Sequence, residues 1–135
     1  MQSAVAVSGS QRVALITTSY CEYATAGLLG GGFCGGSSAA TPAPLPLLVV
    51  APGTTVLFRL GFTATELQLD VSAPGYSTSF LLAGATWRAP DDLPHWAAFR
   101  LRARGQDSLF DTVTTRTAEY TGSLGIPHRK PPLEP

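Results

Sequence analysis

The residues of this 135-residue chain best equipped for covalent chemistry are its two cysteines, Cys21 and Cys34. They bracket Glu22-Tyr-Ala-Thr-Ala-Gly-Leu-Leu-Gly-Gly-Gly-Phe33, a stretch built almost entirely of small residues. Three chemistries are open to such a pair: a structural disulfide, two buried thiols, or a redox or metal pair. Redox and metal roles lack their usual signatures, because no Cys-x-x-Cys and no closely spaced histidines occur. A disulfide has something to restrain here, since a glycine-rich loop is loose when free. In the chain-entropy picture, closing a loop of this length contributes about 3 kcal/mol. We therefore expect a structural Cys21–Cys34 disulfide. Persistent disulfides belong to oxidising compartments, so the expected location is extracytoplasmic: periplasmic, cell-surface or secreted.

Other motifs of chemical type are weaker. Gly30-Gly-Gly-Phe-Cys-Gly35 matches Gly-x-Gly-x-x-Gly literally. A pyrophosphate needs that loop to open a helix with free N–H groups, and Gly36-Ser-Ser-Ala-Ala-Thr-Pro42 cannot supply an amphipathic one. Gly75-Tyr-Ser-Thr-Ser79 lacks the final glycine of a nucleophile elbow. His95 with Asp91 or Asp92 behind it could serve a hydrolase only if a Ser or Cys lies within hydrogen-bond reach. His128, between Pro127 and Arg129, reads as a solvated side chain. The sequence thus assigns no catalytic residue, no cofactor and no metal site, and an enzyme is not the expected class.

Binding chemistry has two candidates. Arg100, Arg102 and Arg104 share one parity of an alternating run, so one strand face carries all three. Guanidinium groups in a row can grip phosphate, a polyanionic polysaccharide or a partner's acidic edge. The plainer alternative pairs them with carboxylates of a neighbouring strand, such as Glu66 and Asp70. Trp87 and Trp96 flank the polar loop Ala89-Pro-Asp-Asp-Leu-Pro94, with Tyr76 also available. Such rings either stack on sugars, forming a carbohydrate-binding surface, or close a core.

The elements that must position these residues are strands. Val56, Phe58, Leu60 and Phe62 alternate with Leu57, Arg59 and Gly61, and Leu67, Leu69 and Val71 alternate with Glu66, Gln68, Asp70 and Ser72. Period two with one polar face predicts half-buried antiparallel strands. Arg12–Tyr20, Leu47–Val50, Tyr76–Leu82, Ala85–Arg88 and Trp96–Arg104 read as further strands. Ala51-Pro-Gly53 and Ala73-Pro-Gly75 read as turns, Pro presetting φ and Gly supplying positive φ. Strands at this spacing, with no helical stripe, predict an all-β antiparallel immunoglobulin-like sandwich with one disulfide.

Composition narrows the partners. Nine basic residues balance nine acidic ones, leaving no long-range field to collect nucleic acid or anionic lipid. No apolar run approaches the ~20 residues of a membrane span. Met1-Gln-Ser-Ala-Val-Ala-Val7 has no basic n-region, so an exported form would have lost its leader. Arginine dominates over the single Lys130 and asparagine is absent, as a GC-rich genome would produce.

Tyr20-Cys21, the glycine-rich stretch to Gly32-Phe33-Cys34, Pro42-Ala-Pro-Leu-Pro46, Leu48-Val-Val50, Ala51-Pro-Gly-Thr-Thr-Val-Leu-Phe-Arg-Leu60 and Leu67-Gln-Leu-Asp-Val71 resemble immunoglobulin-like domains of exported bacterial proteins, many of them lipoproteins. Trp96-Ala-Ala-Phe-Arg-Leu-Arg-Ala103 looks like the closing strand of such a domain. The resemblance spans roughly residues 12 to 104 and implies a sandwich in the cell envelope, without catalytic residues. We expect one domain over residues 4–120, in which 105–120, after a turn at Gly105-Gln-Asp107, either adds an edge strand or trails away, and a Pro-rich tail over 121–135. The expected role is a non-catalytic structural or protein-interaction module, with a cell-wall glycan as the alternative ligand.

Overall fold

A computed structural model describes residues 4–26, 29–35 and 45–126. They form eleven strands: β1 (Ala4–Ser8), β2 (Gln11–Ala14), β3 (Ile16–Ala26), β4 (Leu29–Gly35), β5 (Leu47–Val49), β6 (Thr55–Leu60), β7 (Glu66–Ala73), β8 (Tyr76–Leu81), β9 (Thr86–Arg88), β10 (Trp96–Leu109) and β11 (Thr112–Gly125). No helix long and apolar enough to cross a membrane occurs among them.

The strands make two sheets. The smaller runs β2-β1-β6-β9, and the larger β4-β3-β11-β10-β7-β8, with β5 beside the end of β11. The β5–β11 pairing is parallel; the other strand pairings are antiparallel. Sheet order β11-β10-β7-β8 facing β1-β6-β9, with a short strand parallel to the last, is the immunoglobulin-like arrangement the sequence led us to expect. Two hairpins extend it. β1–β2 widens the small sheet and β3–β4 widens the large one. The chain passes between them at Leu15, which is buried and whose N–H donates to the Ala4 carbonyl at 2.9 Å.

The alternating residues meet between the layers. Val56 and Phe58 of β6 face Leu69 and Val71 of β7, Phe99 and Leu101 of β10 and Tyr120 of β11, all buried. The Phe58 and Phe99 rings pack edge to face, centroids 6.2 Å apart. Each such side chain contributes about 1.5–3 kcal/mol on burial. The two Pro-Gly turns form as read, with φ of +84° at Gly53 and +76° at Gly75.

Four expectations need correction. Gly105-Gln-Asp107 is not a turn; β10 continues through it to Leu109. Residues 105–120 are not an edge strand, because β11 lies between β10 and β3. The tail does not begin at 121, since β11 runs to Gly125 with Ser123 and Leu124 buried; residues 127–135 lie outside the described residues. The Cys21–Cys34 stretch is not an open loop but the β3–β4 hairpin.

One glycine decides where the second layer ends. A Cβ on Gly105 would collide with the Thr63 carbonyl and the Phe62 ring. The β6–β7 loop therefore lies directly on the backbone of β10, and Thr65 N–H donates to the Arg104 carbonyl at 2.8 Å. Beyond that seal, β10 and β11 continue as a long hairpin, paired to β3, which pairs to β4. Gln106 to Phe110 are exposed. This part of the large sheet is a single-layer blade projecting from the sandwich.

Candidate functional site

Two surfaces carry the candidate residues. The first is the outer face of the large sheet along β10. Alternation places Ala97, Phe99, Leu101 and Ala103 in the core and leaves Trp96, Ala98, Arg100, Arg102 and Arg104 on the outer side. Arg102 Nε meets Asp70 Oδ2 at 3.2 Å, and Arg100 Nε meets Glu119 Oε1 at 3.8 Å. Glu66 stands opposite Arg104 in the β7–β10 register, yet Arg104 has no ion-pair partner among the described residues. These bridges are solvent-exposed and worth about 0–1 kcal/mol each. Burial alone would raise the Asp70 carboxyl, but hydrogen bonds from Gln68 and Ser79, with Arg102 nearby, pull it below the ordinary carboxylate range.

Two depressions interrupt this face. One of about 320 Å³ is lined by Leu45, Asp70, Ser72, Ala98, Arg100 and Thr121. Another of about 280 Å³ lies higher, lined by Arg102, Arg104, Glu66, Gln68, Thr117 and Glu119. Both mix charges of each sign with hydroxyl groups, and the second adds the Gln68 amide, so they suit a polar, largely neutral ligand better than a simple anion.

The three rings considered for sugar stacking are not brought together. Trp87 is 4% exposed and packs edge to face on Phe80 at 5.4 Å. Its ring has no face to offer, because β9 turns it into the core. Tyr76 pairs with Ala73 and packs against the core from the inner side of β8. Only Trp96, half exposed, stands on the outer face.

The second surface is the blade. Cys21 and Cys34 are directly opposite in the β3–β4 ladder, Cα atoms 4.0 Å apart, and are joined by the disulfide. The bridge ties one sheet to its own edge rather than one sheet to the other. The Tyr23 ring lies over Gly32, where a Cβ would collide with it, and its hydroxyl donates to Cys34 Sγ at 3.0 Å. On the opposite face, the Tyr20 hydroxyl donates to Glu22 Oε1 at 2.7 Å and Arg116 Nε donates to the same oxygen at 3.2 Å. Arg116 Nη1 also reaches Asp107. The bonds from Tyr20 and Arg116 hold the Glu22 carboxyl below its ordinary value. Tyr20 bridges the sandwich and the blade, its ring 6.2 Å from Phe62 and 6.1 Å from Phe33.

The blade also carries apolar side chains in water. Tyr23 and Phe33 flank β4, and Leu109 and Phe110 form the hairpin tip. Phe110 is 96% exposed and has φ of +56°. Sequence reasoning passed over this residue. The turn is Phe110-Asp111, closed by the Leu109–Thr112 pair; Asp111 is a turn former and Phe110 is not, so the ring's place at the tip became legible only once the hairpin was known.

His95 is exposed in the β9–β10 loop, where its carbonyl accepts from Ile126 N–H at 3.1 Å. No hydrogen bond from a Ser or Cys reaches its ring among the described residues, and Asp91 and Asp92 are exposed. His128 and Gly36 lie outside the described residues. The described part of the glycine-rich run that follows Ala26 is strand β4.

Fold and surface together define an immunoglobulin-like β-sandwich whose central hairpin is drawn out into a disulfide-tied blade. Compared with protein families, curated proteins and solved structures, the chain matches none.

Proposed function

We propose that this protein is a non-catalytic interaction module of the extracytoplasmic cell envelope, contacting a protein partner through the blade tip. Phe110 carries the reading. A bulky residue in the left-handed region costs about 1–2 kcal/mol relative to its ordinary conformation. It also holds a full aromatic ring in water. Both penalties are offset when a partner's apolar pocket receives the ring, and buried aromatic anchors dominate interface energies. A disulfide among exposed strands supports an oxidising compartment.

The test separates stability from binding. Phe110→Gly relieves the backbone, so it should raise stability by about 1 kcal/mol while weakening partner capture at least tenfold. A photo-crosslinking residue at 110, in producing cells, should trap one discrete partner that the same residue at Arg59, exposed on the small sheet, does not. Identical patterns at both positions would refute the reading.

Trp96 favours a second reading, a glycan laid along the outer face of β10. Its half-exposed ring stands on the same face of β10 as Ala98 and Arg100, which line the 320 Å³ depression together with Asp70 and Ser72. Cell-wall polysaccharide should then shift the emission of Trp96, and Trp96→Phe should abolish that response while the buried Trp87 continues to report an intact core. An emission unchanged by such glycans removes this alternative.

A further inference from the structure

We propose that the free edge of β4 is a self-pairing surface: it joins the same edge of a second copy, antiparallel, about a two-fold axis at Gly32. Among the described residues no strand occupies the outer side of β4, the last strand of the large sheet. An uncovered edge is a template for another chain, and proteins ordinarily block it with Lys, Pro, a bulge or an inward charge. β4, Leu-Gly-Gly-Gly-Phe-Cys-Gly, has none of these, and its register with β3 runs without a shift. The disulfide holds this glycine-rich strand extended before any partner arrives, which lowers the ordering entropy that pairing costs.

Side-chain sizes and charge select a copy of this chain as the occupant. With Gly32 facing its counterpart, Phe33 lies opposite the other copy's Gly31 on one face, and Cys34 opposite its Gly30 on the other. Each large group meets a glycine, so both faces admit the approach. No charge stands opposite a like charge, and the zero net charge of the chain adds no long-range repulsion. The remaining edges suit this poorly. β2 carries Arg12 and β9 has only three residues. β8 is uncharged and six residues long, but a β4-to-β8 contact is head to tail and would build an open ladder, whereas β4-to-β4 closes on itself.

The pairing is independent of the partner contact at Phe110. Antiparallel β4 strands send the two tips in opposite directions and leave both rings free. A contact made by one seven-residue strand falls short of the ~1,000 Å² of a stable interface, so dimerisation should grow with concentration.

Sedimentation velocity from about 10 µM to about 1 mM, with hydrogen exchange at both ends of that range, tests this. The wild-type protein should move from monomer to dimer, with β4 amides gaining protection as it does. Gly31→Lys should weaken association at least tenfold at unchanged Tm, because a Cβ at Gly31 meets nothing within 4 Å. Should that variant misfold, Gly30→Glu makes the same test with only ordinary contacts around its Cβ. Thr78→Lys on β8 and Phe110→Asp should dimerise as the wild type does. A wild type that stays monomeric at the top concentration, species larger than a dimer, or loss of association in Thr78→Lys would each overturn the proposal. Loss of partner capture in Phe110→Asp, with dimerisation intact, would bear on the tip alone.

Discussion

Among the described residues, Tyr120 is the largest fully enclosed side chain, and its hydroxyl has no hydrogen-bond partner there. Burial, with a smaller effect from Tyr20, pushes its pKa up to about 12. A phenol raised in the folded state contributes full stability below its unfolded pKa near 10 and loses it as pH climbs through the folded value. We expect a loss of about 2–3 kcal/mol between pH 10 and 12, measurable by urea unfolding. Tyr120→Phe removes an unsatisfied buried oxygen, so it should equal or exceed the wild type at pH 7 and flatten most of that alkaline decline. Gly105 predicts the opposite sign. Its Ala variant drives a methyl into the Thr63 carbonyl, and we expect a cost of about 1–3 kcal/mol in chemical denaturation. At this scale the sequence misled for a definite reason. Gly105 looked like a turn residue because glycine usually marks one, but here its missing side chain admits a loop from another layer.

β10 was the most legible element. Its strict alternation separated the arginine face from the core face, and the observed facing agrees residue by residue. Its partner β11 was legible only in its threonine-rich first half. Gly122, Ser123 and Gly125 have weak strand propensity, so the strand seemed to stop at Tyr120. The two glycines have no room for a side chain, because Phe99 and Leu15 press on Gly122 and Leu47 on Gly125; such a need arises only from tertiary neighbours. The β3–β4 hairpin was obscured in the same way by its glycines, although the cysteine pair that closes it was read correctly. Because that bridge lies within one sheet, opening it should loosen the blade and spare the sandwich. In a Cys21→Ala/Cys34→Ala variant, hydrogen exchange should quicken across β3 and β4 while Leu69, Leu101 and Val56 keep wild-type protection. Uniform loss of protection would mean that blade and sandwich unfold as one unit.

For the molecule as a whole, acid should act unevenly. The Glu22 and Asp70 carboxyls sit below their ordinary values, so their contribution is present above the usual carboxylate range and is lost as pH falls through the folded values. Glu22 belongs to the blade's ion-pair chain, whereas the sandwich rests on apolar packing. Near pH 3, blade amides should exchange faster while near-UV dichroism of the buried Trp87 persists. Simultaneous loss of both signals would contradict this division. The sandwich and its disulfide were readable from alternation, turns and two cysteines; the blade was not, since no local pattern says that one layer stops before the other.

The seal at Gly105 leaves the body blind to the length of the hairpin beyond it. Gln106 faces Thr115 and Asp107 faces Thr114, and no second layer measures how many such rungs there are. Adding or deleting rungs two at a time would alter the protein's reach by about 7 Å per step and return every remaining side chain to its former side. Overhang length can therefore vary between descendants of this chain without renegotiating the interior, a freedom that fully sandwiched hairpins lack.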